Sequence, residues 1–533
     1  LIICYYKVQI NIKFQEGDLK MKKKIILVGI LLLSVYSFAG LFGNKKDKES
    51  YEALKPLMEV YSIIQESYVD EEKTQPKDLV DGAIKGMVSK LDPFSQYLDP
   101  QSYKDMNEDT KAEFGGLGIE ISIKDGQLVV VAPIEDTPAY KAGIKAGDKI
   151  MQIDGESTEG IDIMDAVHKM RGTPGTKVTI TIQRGNDPTW KDYTITRDII
   201  KIKTVRYNVI MNDIGYIKIN EFMGDASGEI NKALKSFKKK EIKKLIIDLR
   251  NNPGGLLDQA VKSADLFLPK GKMIVYTQGR SKDSKIEFKA EDDENYNAKI
   301  VILVNKGSAS ASEILAGALR DNNKAILLGT KTFGKGSVQT IIPLSDRSAL
   351  RLTTAQYFTP SGKKIHGIGI EPDIELEEPL PSSYSASLYD KNYFEEFADS
   401  YLKKHPEGLS KLKSQEKSDE ESGAKNVTDT TKIEDKSKEE IKVSESDIKV
   451  LFKQTEDDKL FEEFKKWLKK EKNEALQIQE LTADKEILLN WIKTEIAKKQ
   501  KGRGAAREIA VENDIQVKRA VNILNTLARL TEK

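Results

Sequence analysis

From Ile214 onward the chain repeats one pattern three times, a short run of buried-strand character followed by a stretch of helical spacing. Ile214 to Ile219 leads to Gly228 to Phe237, Lys244 to Leu249 to Leu256 to Phe267, and Ile300 to Val304 to Glu313 to Leu319. Strands that each run into a helix do not pair as hairpins, so the pattern predicts an α/β unit around a buried sheet. At 533 residues the chain exceeds what a single core organises, and the remainder obeys other rules. Between Glu49 and Tyr103, apolar residues recur at helical spacing (Leu54, Leu57, Met58, Ile63, Ile64, then Ile84, Met87, Val88, Leu91), which predicts a helical N-terminal domain over 49–110. Residues 111–197 turn to short β-rich stretches, Ile119 to Ile123, Leu128 to Ala132, Lys149 to Ile153 and Lys177 to Gln183, punctuated by Gly, Asp and Pro and interrupted by one helix, Ile161 to Met170. The α/β unit occupies 198–413. Residues 414–445 are mostly Lys, Glu, Ser, Asp and Thr, too poor in apolar side chains to offset chain entropy, and read as a disordered linker. Helical periodicity returns over 446–533 with Leu460, Phe464, Trp467, Leu488, Leu489, Trp491 and Ile492. The fold class expected is therefore multidomain α+β.

Charge and rare residues exclude several functions. Lys and Arg (85) nearly cancel Asp and Glu (84), so no global basic field points to nucleic acid. The only cysteine is Cys4, and His168, His366 and His405 are scattered without ligand-like spacing, so neither a thiolate nucleophile nor a metal is expected, and no cofactor is implied. Met21, a lysine cluster at 22–24, an apolar run from Ile25 to Phe38 and small residues at Ser37 and Ala39 have the layout of a secretory signal. On this reading residues 1–20 are an upstream extension, cleavage follows Ala39, and the protein is exported to the periplasm or cell envelope. The alternative is a retained membrane anchor, although the run is shorter than the ~18 apolar residues a spanning helix needs.

The strand V301-I-L-V-N305 runs through K306-G-S-A-S-A-S-E313 into the helical I314-L-A-G-A-L319. Small residues let backbone amides approach a ligand, and first-turn N–H groups with the helix dipole suit an oxyanion, so a serine in this turn is a candidate nucleophile. Ser310 and Glu313 also spell a capping box, S-x-x-E, and the segment alone leaves both readings open. Of the three histidines only His366 lies near the α/β unit, and no acidic partner for it stands out to make a Ser-His-Asp system. A lysine can replace it where burial lowers its pKa, and Lys335, framed by glycines in F333-G-K-G336, is the candidate, with Gln339 able to orient its amine. G329-T-K-T-F-G334-K335 imitates a P-loop, but Gly336 stands where Ser or Thr would hold Mg²⁺, and the β-branched S337-V-Q-T-I-I342 follows instead of a helix.

F114-G-G-L-G-I-E-I121 joins a glycine turn to an apolar strand, an arrangement that offers amides to a carboxylate and an edge to a peptide. With V129-V-V-A132, T137-P-A-Y-K-A-G-I-K-A-G-D-K-I-M-Q-I-D-G155 and R171-G-T-P-G-T-K-V178 it resembles a bacterial-type PDZ domain. Adding L91-D-P-F-S-Q-Y-L98, D248-L-R-N-N-P-G-G255, G334-K-G-S-V-Q339, T353-T-A-Q-Y-F-T-P-S-G362 and G369-I-E-P-D373, the chain resembles the carboxyl-terminal processing proteases from Tyr51 to Leu412 and again over the last helical stretch. The resemblance implies an α/β protease core with Ser310 as nucleophile, 25 residues before a Lys335 general base oriented by Gln339, and an oxyanion hole from Ala311 with Gly255 of the Gly254–Gly255 pair. Substrate C-termini are expected at Gly116, Leu117, Gly118 and Ile119 of the PDZ domain, where the glycine-framed amides suit a carboxylate and Leu117 and Ile119 suit an apolar terminal side chain, and the resemblance also implies a regulatory Arg171. Partners on this reading are proteins with free C-termini, with an adaptor allowed for and homo-oligomerisation expected through Trp467, Leu489 and Trp491. The rival is a PDZ scaffold or holdase with an inert core, against which the complete Ser310, Lys335 and Gln339 set counts.

Overall fold

The computed structural model describes residues 45–410 and 445–531, apart from 125, 135 and 186. The expected signal segment and nearly all of the expected linker lie outside the described residues. Contacts divide the chain into two units at Tyr97 and Leu98. In the first, helices α1 (Lys45–Ser67) and α2 (Pro76–Val88) follow the predicted helical spacing, Val88 is buried, and the Tyr97 hydroxyl donates to Asp81 at 3.0 Å.

The second unit opens with α3 (Pro100–Thr110), whose first turn is capped by the Asp99 carboxylate accepting from Ser102 N at 2.9 Å. β1 (Glu113–Gly116) pairs antiparallel with β7 (Asp198–Lys201), a two-stranded ribbon through which the chain enters and leaves the PDZ domain. Between them lie β2 (Ile119–Lys124), β3 (Gln127–Pro133), β4 (Lys149–Ile153), helix α4 (Ile163–Met170), β5 (Lys177–Gln183) and β6 (Trp190–Thr196). They form an antiparallel sheet in the order β2-β3-β4-β5-β6. Alternation along the strands, with a register shift between Ile150 and Gln152 that brings Ile153 to the same face as Ile150, sends Leu128, Val130, Ile150, Ile153, Val178, Ile180 and Ile182 into one core, closed by Ala166 and Met170 of α4. β2 is left at the sheet's edge.

The α/β expectation holds. β8 (Val205–Ile210) pairs antiparallel with β9 (Ile214–Ile219), and β10 (Lys244–Asp248), β13 (Lys299–Val304), β14 (Ala325–Gly329) and β17 (Ile374–Glu375) continue the sheet in parallel. Helices α5 (Ala226–Lys239), α6 (Leu257–Asp265) and α7 (Ala311–Asp321) cover one face over a core that includes Phe222, Phe237, Ile302 and Leu315. A second sheet joins β11 (Met273–Gly279), β12 (Ile286–Lys289), β15 (Ser337–Pro343) and β16 (Ala349–Phe358). β15 occupies the segment after Gly336, which removes the helix a P-loop would require.

The C-terminal segment does not pack as the sequence suggests. Helices α8 (Ser383–Asp390), α9 (Tyr393–Lys404), α10 (Glu445–Glu471) and α11 (Lys485–Asn513, interrupted at Gly502) bury Trp467 and Leu489 in one cluster with Tyr384, Phe394, Phe397 and Phe464. Trp491 packs edge-on to Phe394, with ring centroids 5.2 Å apart. The aromatic face expected to need another subunit is covered by α8 and α9 of the same chain, because residues before the linker supply the partner. The last helix, α12 (Ile515–Thr531), lays Val517, Ala520, Val521 and Leu524 on the second face of the large sheet, against Ile214, Ile246, Val301, Leu303 and Leu328.

Candidate active site

Both candidate catalytic residues lie just beyond the C-terminal ends of adjacent parallel strands, where such sheets place ligands. β13 ends at Val304, and the turn that follows holds three serines. Ser308 donates its hydroxyl to Leu249 O at 2.8 Å and Ser312 to Asn252 O at 3.0 Å, so both flanking hydroxyls serve the backbone. The Ser310 hydroxyl instead lies 3.4 Å from the Tyr357 hydroxyl. Ser310 has φ 54 and ψ −113, a conformation L-residues rarely adopt and one that costs about 1–3 kcal/mol. Such strain persists only where the surroundings over-determine it, and here Glu313 does.

Glu313 is fully buried. One of its oxygens accepts from Ser310 N at 2.8 Å and from Lys335 N at 2.9 Å, the other from Gly334 N at 2.8 Å and the Thr332 hydroxyl. The capping interaction anticipated from S-x-x-E is therefore present, but the same carboxylate also ties down the loop after β14. The two amide nitrogens that share its oxygen lie within twice a hydrogen-bond length of each other. Burial raises the Glu313 pKa against the pull of these donors.

Lys335 is half-buried, and its pKa is lowered first by desolvation and second by the charge of Arg351. Gln339 stands on β15 with its amide nitrogen 2.9 Å from Ser337 Oγ and 3.3 Å from Thr353 Oγ1. His366 belongs to this neighbourhood too: a Cβ on Gly336 would fall 2.3 Å from His366 N, so the 365–369 loop runs directly over the lysine turn.

The loop after β10 meets the serine turn from the other side. Asn252 accepts from Ala309 N at 3.0 Å through its carbonyl and from Gly254 N at 2.9 Å through its side chain. Gly254 has φ 108, and a Cβ there would sit 2.8 Å from Ser310 Cβ and 2.9 Å from Ala311 N, so only glycine fits. In the first turn of α7 the amides of Ser312, Glu313 and Ile314 return to the carbonyls of Ala309 and Ser310. At the base of this loop Arg250 grips Asp248 with two hydrogen bonds, of 3.0 and 2.7 Å, and reaches Asp514 at 2.8 Å and Gln516 at 2.9 Å. Burial opposes the Asp248 charge, yet Arg250, Lys218 and the Tyr216 hydroxyl hold its pKa down at about 2. Sequence reasoning missed Asp514 and Gln516, which nothing in a single sequence connects to Arg250.

In the PDZ domain the carbonyls of Leu117 and Gly118 accept from Ala139 N at 3.0 Å and Ile134 N at 2.9 Å, which fixes the glycine turn at the start of β2. Ile119 is partly buried, whereas Leu117 is only 2% exposed. The Leu117 side chain thus belongs to the PDZ core, against the expectation that it would face an apolar ligand residue. Arg171, at the C-terminal end of α4, lies 4.4 Å from the Phe114 ring centroid and pairs with Asp109 at 3.4 Å. The structure brings Ser310, Ala311 and Gly254 into contact and sets the Lys335 backbone beside Ser310 through Glu313.

The sequence profile of Peptidase family S41 matches residues 213–376, that of a PDZ domain residues 129–184, and that of the activating protease CtpB N-terminal domain residues 39–102. The carboxy-terminal-processing protease of Bartonella bacilliformis is 43% identical over 414 residues, covering 76% of this chain and 91% of its own. A CtpA-like serine protease of Staphylococcus saprophyticus is 40% identical over 379 residues, covering 69% and 76%. Among solved structures, the photosystem II D1 C-terminal processing protease aligns at 28% identity over 62% of this chain and 94% of its own, with a TM-score of 0.38.

Proposed function

Because the chain belongs to the carboxy-terminal-processing proteases, serine peptidases that join an S41 core to a PDZ domain, we propose that it cleaves exported proteins near their C-termini with Ser310 as nucleophile and Lys335 as base. The observation that carries this reading is the shared Glu313 oxygen, which holds the backbones of both residues side by side at the end of the sheet.

The Ser310 hydroxyl proton passes to the neutral Lys335 amine as the oxygen bonds to the scissile carbonyl carbon, and the carbonyl electron pair moves onto its oxygen. The Ala311 and Gly255 amides receive that oxyanion. Two contacts favour them: Gly254 N is engaged by Asn252, and the next three amides of α7 fold back on the turn. Collapse expels the amine, which takes the proton from the Lys335 ammonium, and a water molecule repeats the sequence on the acyl-enzyme. Lowering of the Lys335 pKa by burial supports its use as a base, and Gln339, four residues on, orients its amine.

Substrate selection falls to the PDZ domain. Edge strand β2 suits addition of an extended peptide, and the 116–118 turn suits its terminal carboxylate. Arg171, on the helix flanking this edge, is the candidate link to the core. We divide the chain after residues 110, 197 and 413. Export, an adaptor and self-association complete the reading; no described helix is long and apolar enough to cross a membrane, and Trp467 and Leu489, buried within the chain, leave association to other surfaces.

Cleavage of a peptide with a free C-terminus, compared with its C-terminal amide, tests this. A hydrogen-bonded charge contributes about 1.5–3 kcal/mol, so amidation should weaken binding roughly tenfold or more. Deleting residues 111–197 should shrink that difference; an undiminished preference would move recognition into the protease cleft.

A further inference from the structure

Tyr357, within the motif T353-T-A-Q-Y-F-T-P-S-G362, has no part in the scheme above, yet its hydroxyl contacts the candidate nucleophile's oxygen. Tyr357, on β16, is 5% exposed. Its hydroxyl lies 3.4 Å from Ser310 Oγ, and its backbone N–H donates at 2.8 Å to the carbonyl of Gly336, the residue after Lys335. One residue thus touches the serine through its side chain and the lysine turn through its main chain.

We infer that Tyr357 is a further catalytic residue, donating its phenolic O–H to Ser310 Oγ as that oxygen develops charge during attack. The inference rests on the reading of Ser310 and Lys335 as nucleophile and base. Two facing hydroxyls need one donor and one acceptor. The serine proton has to be directed at Lys335, so the serine oxygen is the acceptor and the phenol the donor. The phenol is not a competing base: burial raises its pKa, more than contact with Ser310 lowers it, and the nearby Glu313 charge acts in the same upward direction. Its proton is never transferred. At 3.4 Å the contact is longer than a good O–H···O bond, and it shortens as the serine oxygen gains negative charge on losing its proton, so its strength is gained chiefly in the transition state. The ring itself packs in the protein core beside the sheet, and phenylalanine preserves that packing.

The test is a single-turnover reaction with an activated peptide ester, quenched in acid and read by mass spectrometry, for wild type and Tyr357→Phe. The acyl group should appear on Ser310 in both. Its formation should be about 10- to 100-fold slower in the variant, the factor one hydrogen bond to a charged group supplies, with KM for peptide within about twofold. The pH midpoint, which belongs to Lys335, should not move. Acylation of Ser310 at the wild-type rate in Tyr357→Phe would overturn the inference and leave the nucleophile intact. An acyl group on a different residue would overturn both. If the variant is destabilised, the rate per folded molecule, with the folded fraction from circular dichroism, decides: a loss wholly accounted for by unfolded protein makes Tyr357 a packing residue and ends the proposal.

Discussion

Replacing Glu313 by glutamine isolates the clamp that holds the two candidate catalytic residues together. The side chain keeps its size, so no cavity opens, but one acceptor oxygen becomes an NH₂ donor. If that group takes the side facing Ser310 and Lys335, two buried backbone N–H groups lose their acceptor and meet a donor. If it takes the other side, the Thr332 hydroxyl turns round to accept from it, although it already accepts from Ile370 N at 2.7 Å, and only Gly334 N is orphaned. The second arrangement is the cheaper. One unsatisfied buried donor costs about 1–3 kcal/mol, and the remaining bonds weaken from charge-assisted to neutral, so a loss of roughly 2–4 kcal/mol is expected. Glu313→Ala strands all four donors and should cost more. Urea unfolding followed by circular dichroism measures the stability, and peptide hydrolysis at low urea measures activity, which should fall at least tenfold as Ser310 and Lys335 drift apart. A Glu313→Gln protein as stable and as active as wild type would refute the reasoning that this carboxylate sets the site.

Two other outcomes follow from the same contacts. Desolvation and Arg351 lower the Lys335 pKa, so the free-base fraction, and with it kcat/KM, should rise with pH to a plateau whose midpoint lies below 10.5; Arg351→Gln should move that midpoint upward, and an unmoved midpoint would deny Arg351 its part. Ending the chain at Asn513 removes α12, exposing sheet residues that now meet Val517, Val521 and Leu524, each contributing about 1.5–3 kcal/mol, and leaves Arg250 short of two acceptors. The sum is comparable with the stability of a whole domain, so aggregated or partly unfolded protein is expected, and a soluble truncate with wild-type melting and activity would contradict it.

Local periodicity made the architecture legible. Ile214 to Ile219, Lys244 to Leu249 and Ile300 to Val304 each announce a buried strand, and the helices after them show their apolar faces in sequence. The serine turn was legible for the same reason. Its surroundings were not. Glu313 reads as an ordinary cap because three of its four donors arrive from Thr332, Gly334 and Lys335, brought beside it by parallel pairing of β13 and β14. Tyr357 is 47 residues from Ser310 and reaches it from a different sheet. An amphipathic face announces that Trp467 and Leu489 will be buried but not against what, and the answer lies in α8 and α9, on the far side of the linker stretch. Leu117 illustrates the converse, since a glycine turn predicts available amides without saying where the intervening side chain goes.

The central claim is that Ser310 and Lys335 act as one unit, and peptide hydrolysis by Ser310→Ala, Lys335→Ala and the double variant, each verified as folded, tests it most directly. Residues that act together in one step are non-additive, so each single substitution should reduce kcat to background and the double should lose nothing further. His366→Ala, which alters the loop lying over Gly336, should retain most of the activity. Full hydrolysis by either single variant, or a loss in His366→Ala as deep as in Lys335→Ala, would contradict the account.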